Sequence, residues 1–331
     1  MAASIKDVAK EAKVSIATVS RVLNNIDVVN DDTKQRVKDA IEKLGYRPNI
    51  VARSLKTQRT RTVGIIVPDI SNQFYPEIVR GAEDVANIYD YNVMLCNTDL
   101  DKEKEIEYLR IMKEKMVDGI IYMSSSLDED VFKLLEELNL PAVLIENTDP
   151  SGKIESVSID NEAAAYDGVA YLLKKGNKKI AYIGSDKDGK NLGASRYKGY
   201  ERALKEKKIK LSEDRVAFTG SKAKDGFDAI NRILEAAEVD AVFCTGDEIA
   251  MGVINALRER GVKVPEQVDV MGFDNIYFSS IFNPKLTTVA QPMYDMGSVG
   301  MRMLIKKIST SEPEEKSYVL AHQIIERNSC K

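Results

Sequence analysis

The residues of this chain best placed to do chemistry argue against catalysis. The stretch "GSDKDGKN" at 184 to 191 comes within one position of the phosphate-binding pattern G-x-x-x-x-G-K-[ST], but position 191 is Asn. Without a hydroxyl there the Mg²⁺ ligand is missing, and the charged residues inside the stretch suit a solvated strand-to-helix loop. The only histidine, His322, falls in a segment expected to be a C-terminal strand, so a His-dependent nucleophile has little to work with. Cys96, Cys244 and Cys330 stand far apart with no C-x-x-C spacing, which indicates neither a disulfide framework nor a zinc site. No catalytic group, cofactor or metal is expected.

A different chemistry collects at the other end. "RPNIVARSLKTQRT", residues 47 to 60, sets the apolar Leu55 among Arg53, Lys56 and Arg59. Residues 1 to 61 hold 13 Lys/Arg and 7 Asp/Glu, a balance of +6 that leaves −10 on the remainder of a chain whose net charge is −4. Such a distribution suits a small module for a polyanion attached to a larger body that is not one. With 331 residues, 44% hydrophobic and 30% charged, two or three soluble globular domains are expected. Apolar runs such as "VGIIVP" at 63 to 68 are too short to cross a bilayer, and "MAASIKDVAKEA" has no signal-peptide core, so a cytoplasmic location is expected.

The basic head has its own periodicity. Val8, Ala9 and Ala12 share one face of a first short helix, and Val19 and Val22 share one face of a second, with a tight turn between them. Ser15 suits the N-cap of the second helix because its hydroxyl can accept orphan backbone N–H groups. A third helix from Asp31 to Leu44 is expected to bury Val37, Ala40, Ile41 and Leu44 and to end at Gly45. This is a helix-turn-helix pattern. In that arrangement the second helix enters the major groove, with Ile16, Ala17 and Arg21 at the base edges and Thr18 and Ser20 on phosphates. A small helical core with incidental surface arginines would carry the same periodicity.

The linker favours DNA. Pro48 suits the first turn of a two-turn helix through Val51 and Leu55, too short to be stable alone. An apolar side chain wedged into a minor-groove step, with basic neighbours on the phosphates, would give it a partner. An interdomain tether whose leucine packs on the next domain is the alternative.

"IKDVAKEAKVSIATVSRVLNN", "LGYRPNIVARSL" and "TVGIIVPDISNQFY", in this order, resemble the LacI/GalR family of bacterial transcriptional regulators, and the resemblance runs to "IIERNS" at 324 to 329. It implies a homodimer on a near-palindromic double-stranded DNA operator, with Leu55 of both subunits as minor-groove wedges. The implied DNA-facing set is Ser15, Ile16, Ala17, Thr18, Ser20, Arg21 and Asn24, joined by Asn49, Ala52, Arg53 and Leu55 of the hinge.

From Thr62 onward, short apolar runs alternate with amphipathic stretches, and the pattern repeats from Lys179. Buried strands linked by helices give α/β lobes with parallel doubly wound sheets. The resemblance implies a periplasmic-binding-protein-like core of two lobes. The expected division is 1–46 for the DNA-binding domain, 47–61 for the hinge, 62–160 with 290–322 for one lobe, and 161–289 with 323–331 for the other.

Ligands of open parallel sheets collect at the carboxyl ends of the strands. Asn72, Phe74 and Tyr75 follow the first strand of the first lobe, and Arg196, Asp247 and Asp274 follow strands of the second, so all six are expected to face the cleft. Arg and Asp suit a small sugar or sugar phosphate, although Asp274 could equally cap its own loop. "GAEDVANIYDYNV" and "QPMYDMGSVGMRMLIKK" are similar to the catabolite-control subgroup of the family, whose corepressor is the phosphocarrier HPr phosphorylated on serine. That likeness implies carbon catabolite repression, with Arg302 on the phosphate and Asp84, Tyr89, Tyr294, Asp295 and Val299 lining the docking surface. A guanidinium fork suits phosphate oxygens. The chain keeps the sugar-type Arg196 where the subgroup usually has Lys.

Overall fold

A computed structural model divides the chain into two units, Met1–Thr60 and Arg61–Lys331. It describes residues 3–23, 29–46, 59–124, 129–149, 151–185, 192–310 and 317–331. The expected hinge helix, Asn24, Asn49, Ala52, Arg53 and Leu55, and residues 186–191 of the near-phosphate loop lie outside the described residues.

In the first unit α1 spans Ile5–Glu11, α2 Ile16–Leu23 and α3 Asp31–Leu44. Their core is made of small and β-branched side chains, chiefly Val8, Ala9, Ala12, Val19, Val22 and Val37, which lets three short helices approach closely. Each turn is locally specified. Asn30 caps α3 by accepting the Thr33 amide at 2.8 Å, and Gly45 ends it at φ 58°, a conformation that costs glycine nothing. Ile41 and Leu44, expected in the core, are half-buried at its rim. A core this small does not cover the last turns of its longest helix.

Among its described residues the second unit holds two six-stranded sheets. In the first lobe the strands are β1 (Thr62–Val67), β2 (Asn92–Asn97), β3 (Gly119–Tyr122), β4 (Ala142–Ile145), β5 (Glu155–Ile159) and β11 (Ser317–Leu320), ordered β11-β5-β4-β3-β1-β2 and all parallel. Helices α4 (Phe74–Ile88), α5 (Lys102–Glu114), α6 (Glu129–Leu138) and α11 (Met293–Ser309) cover it. In the second lobe β6 (Ile180–Gly184), β7 (Val216–Phe218), β8 (Ala241–Cys244), β9 (Asp269–Asp274), β10 (Thr287–Ala290) and β12 (Gln323–Ile325) run β12-β10-β9-β8-β6-β7. Helices α7 (Asn161–Lys174), α8 (Leu192–Glu206), α9 (Ala223–Ala236) and α10 (Asp247–Glu259) cover that sheet. Among the described residues the one departure from parallel pairing is β12, which runs antiparallel to β10.

The chain passes between lobes after β5, after β10 and after β11. His322 therefore lies in the step between β11 and β12 rather than in a strand, because the backbone leaves one sheet there for the other. Its Nε2 lies 2.9 Å from Asp167 Oδ2 on α7, a structural contact. Strand β5 reads "ESVSI", and all five residues are buried. Its glutamate is accommodated because Lys307 of α11 donates to Glu155. Among the described residues no helix is long and apolar enough to cross a membrane.

In each sheet the first strand, β1 or β6, is flanked by its second and third strands. The connection from the first strand to the second and that from the second to the third cover opposite faces and open a crevice at the carboxyl end of the first strand.

Candidate functional site

Among the described residues, three surfaces hold the candidates other than Asp247. The first is the exposed side of α2. Ser15 Oγ accepts the Thr18 amide at 3.1 Å and lies 2.9 Å from Thr18 Oγ1, so the helix start is tied by its own hydroxyls. Val19 and Val22 point into the core, which forces Ile16, Ala17 and Arg21 outward; all three are exposed, and Ile16 keeps 45% of its surface. Thr18 and Ser20 are half-buried beside them. An exposed isoleucine and arginine on a capped, externally braced helix suit apolar and bidentate contacts with base edges. The helices on which α2 packs are themselves tied together, α3 to α1, by Lys43 Nζ donating to Glu11 Oε1 at 2.7 Å.

The second surface is the crevice between the lobes of the body. A cavity of about 390 Å³ is lined by Asn72, Phe74, Tyr75 and Glu146 from one lobe and by Arg196, Thr245 and Asp274 from the other. Phe74 and Tyr75 stack edge to face at 5.1 Å, and Asn72 starts their helix by accepting the Phe74 amide at 3.0 Å. Arg196 is held on three sides. Its Nε donates to Asn161 Oδ1 and its Nη1 to the Thr245 carbonyl, both at 2.8 Å, while its plane lies 4.0 Å from the centre of the Phe273 ring. Its Nη2 has no hydrogen-bond partner among the described residues and stands 3.7 Å from Glu146 Oε1.

Glu146 was not singled out from the sequence, although its place suits a ligand contact. It follows β4 in "PAVLIEN" as Asp274 ends β9 in "GFDN", an acid at the carboxyl end of a buried strand. Burial pushes its carboxyl up from 4.5 to about 7 against the pull of Arg196, and its Oε2 has no hydrogen-bond partner among the described residues. Asp274 is pushed up to about 6, again by burial first, with Arg196 and a 2.8 Å bond from Gln291 Nε2 acting the other way. A guanidinium donor beside an unpartnered carboxyl oxygen is chemistry for hydroxyl groups.

Asp247 does not face the crevice. Its side chain is fully buried; Oδ2 accepts the Ile276 amide at 2.8 Å and Oδ1 accepts the Thr288 hydroxyl at 2.6 Å. As the first residue of α10 it turns under the sheet, where it fastens the loop after β9 to β10.

The third surface joins α4 and α11. These helices cross at glycines: a Cβ on Gly297 would meet the Ile78 carbonyl oxygen at 1.9 Å, and one on Gly81 would meet that of Tyr294 at 2.1 Å. The close crossing brings Tyr294, whose hydroxyl donates to Asp84 Oδ2 at 2.8 Å, under Arg80, 5.9 Å from the ring centre. Tyr89, just past the end of α4, and Asp295 of α11 are exposed, and Val299 is half-buried. Arg302 is exposed two turns beyond Tyr294; its Nε and Nη2 rest on the Ser298 carbonyl and hydroxyl, both at 3.2 Å. The implied docking residues thus come from two helices far apart in sequence and share one neighbourhood of the first lobe.

Comparison with known proteins accounts for both units. Residues 4–49 match the family model described as bacterial regulatory proteins, lacI family. Residues 60–327 match that of periplasmic binding proteins and sugar binding domain of LacI family. The chain is 65% identical over 334 residues to the HTH-type transcriptional regulator RegA of Clostridium acetobutylicum, covering 100% of both. It is 42% identical over 332 residues to catabolite control protein A of Priestia megaterium, again covering 100% of both. The crystal structure of the transcription regulator CcpA of Lactococcus lactis superposes with a TM-score of 0.77 at 38% identity, covering 82% of this chain and 99% of that one. An exposed, capped second helix in the head, a two-lobed body and these matches lead to one conclusion: the chain is a DNA-binding transcriptional regulator of the LacI family.

Proposed function

We propose that this regulator works in the cytoplasm as a homodimer on a near-palindromic operator, represses genes of carbon use, and takes its signal from serine-phosphorylated HPr. Pairing follows from the size of the head. One three-helix module has a small footprint, and two-fold symmetry matches two modules to two half-sites. On the operator, Arg21, Ile16 and Ala17 read base edges, Thr18 and Ser20 engage phosphates, Ser15 and Asn24 complete the DNA-facing set of the head, and Leu55 wedges into the minor groove beside Asn49 and Ala52 with Arg53 on a flanking phosphate.

The observation that carries the corepressor reading is the surface of α4 and α11. Asp84 and Tyr294 are locked together at 2.8 Å, and the exposed Arg302 stands two turns away on the same helix as Tyr294. A phosphoserine offers Arg302 paired charge-assisted bonds, and Tyr89, Tyr294 and Val299 offer the apolar rim. The 42% identity to catabolite control protein A supports assigning the regulated genes to carbon use. The test is operator affinity with and without serine-phosphorylated HPr. It should rise with the carrier in the wild type, and Arg302→Ala should remove about 10- to 100-fold of that gain. No response of the wild type would sink the reading.

A second reading is favoured by the crevice, where Arg196 Nη2 and Glu146 Oε2 stand without partners. In it a small sugar or sugar phosphate binds between the lobes and sets operator affinity. Calorimetric titration with sugars and sugar phosphates separates the two: binding abolished by Arg196→Met, with no response to the carrier, selects the crevice.

A further inference from the structure

The mouth of the crevice is bridged by groups of the chain itself. Asp69 and Ser71 stand in the turn after β1 of the first lobe, and Lys222 stands at the start of α9 in the second. Lys222 Nζ donates to Asp69 Oδ2 at 2.6 Å and to Ser71 Oγ at 3.0 Å. Both ends are held in place. Asp69 Oδ1 accepts the Ser71 amide at 2.9 Å and the Ser71 hydroxyl at 2.7 Å, which leaves Oδ2 turned toward the lysine. The Lys222 amide donates to Asp225 Oδ2 at 2.9 Å, which anchors the backbone that carries it. The pair is partly withdrawn from solvent, with side-chain exposures of 41% for Lys222 and 19% for Asp69. Deeper in the crevice, Arg196 of the second lobe faces Glu146 of the first at 3.7 Å without forming a hydrogen bond. Asp69 of the first crossing and both residues of the second line the cavity.

We propose that Lys222 is a latch: its bonds to Asp69 and Ser71 hold the two lobes closed, and their rupture is the step that opens the crevice. The latch uses only the chain's own charges, so closure requires no small molecule. A protein docking on α4 and α11 would meet a body already closed, whereas a ligand of the crevice would have to compete with the latch to enter. Two ordered half-buried side chains bearing opposite charge at hydrogen-bond distance give such a closure a definite off switch.

Hydrogen exchange of the full chain without DNA tests this apart from the operator and the corepressor, reading each substitution on the opposite lip. Lys222→Met keeps the aliphatic stem and removes the charge; amides of residues 70–74 on the first lobe should then exchange about five-fold faster. Asp69→Asn keeps an acceptor for the Ser71 amide and should accelerate residues 219–225 of the second lobe by a similar factor. The double variant should behave like either single one, because one interaction is lost only once. Acceleration confined to the substituted lip, additive effects in the double variant, or faster exchange throughout both lobes would each overturn the latch.

Discussion

The Tyr294 hydroxyl donates to Asp84 Oδ2 at 2.8 Å across 210 positions of sequence, joining α11 to α4. The bond holds the phenol above its usual range of 10, since losing that proton would place two negative charges side by side. Gly81 and Gly297 permit it by letting the two backbones approach until no Cβ fits between them. Gly297→Ala is therefore expected to destabilise the body by about 1 to 3 kcal/mol through overpacking. It should also weaken carrier binding, because the helices must separate and Tyr294 leaves Asp84. Urea unfolding and a carrier titration check both parts; a fully stable variant would show that the crossing has slack.

Arg21→Ala should relax base preference at one position per half-site and cost about 1 to 3 kcal/mol per lost bidentate contact. Val19 and Val22 form the buried stripe of α2, whereas Arg21 is exposed, so stability of the head should change little. Operator variants scanned one base pair at a time supply the measurement. An unchanged preference profile would remove Arg21 from the reading surface.

Asp247 is expected to matter for stability and not for effector recognition. Asp247→Ala strands the Ile276 amide and the Thr288 hydroxyl, each at a cost of about 1 to 3 kcal/mol. The midpoint of denaturant unfolding should fall accordingly, while the fraction that remains folded binds operator and effector as the wild type does. Loss of effector affinity at unchanged stability would return Asp247 to the crevice.

The buried acids set a pH dependence with a definite sign. Glu146 titrates at 4.5 ordinarily and at about 7 in the fold, so the folded state holds the proton more tightly than the unfolded chain does. Its contribution is fully present below pH 4.5 and is lost as pH rises to about 7, with Asp274 acting likewise from 3.8 to about 6. Arg196 limits the effect without reversing it. Glu146→Gln should flatten the fall in stability between pH 5 and 7 and raise the melting temperature at pH 8 by about 2 to 4 °C. A variant whose melting profile parallels the wild type across that range would contradict this account.

Much of the fold was legible because it is written in local pattern. The capping Ser15, the terminating Gly45 and the valines of α1 to α3 specify their helices over a few residues, and uninterrupted apolar runs such as "VGIIVP" mark strands buried on both faces. Strand β5 was not legible, because "ESVSI" carries alternating polar residues and is buried only by virtue of its place between β4 and β11 and a lysine from α11. Glu146 escaped notice for a related reason. A glutamate after a strand is ordinary in sequence, and only the approach of Arg196 from the other lobe makes it a site.

By itself, the sequence determined the charge division between head and body, the helix-turn-helix periodicity, the alternation of strands and helices, and the resemblance that carries the family. Those properties depend on residues close together in the chain or on motifs in a fixed order. Only tertiary structure decided that Asp247 lies under a sheet while Asp274 lines the crevice, that Asp84 meets Tyr294, and that Lys222 reaches Asp69. The first depends on packing within the second lobe and the other two on passages between the lobes; all bring distant segments within bonding distance, and burial and partner choice are set there by packing geometry that no local pattern encodes.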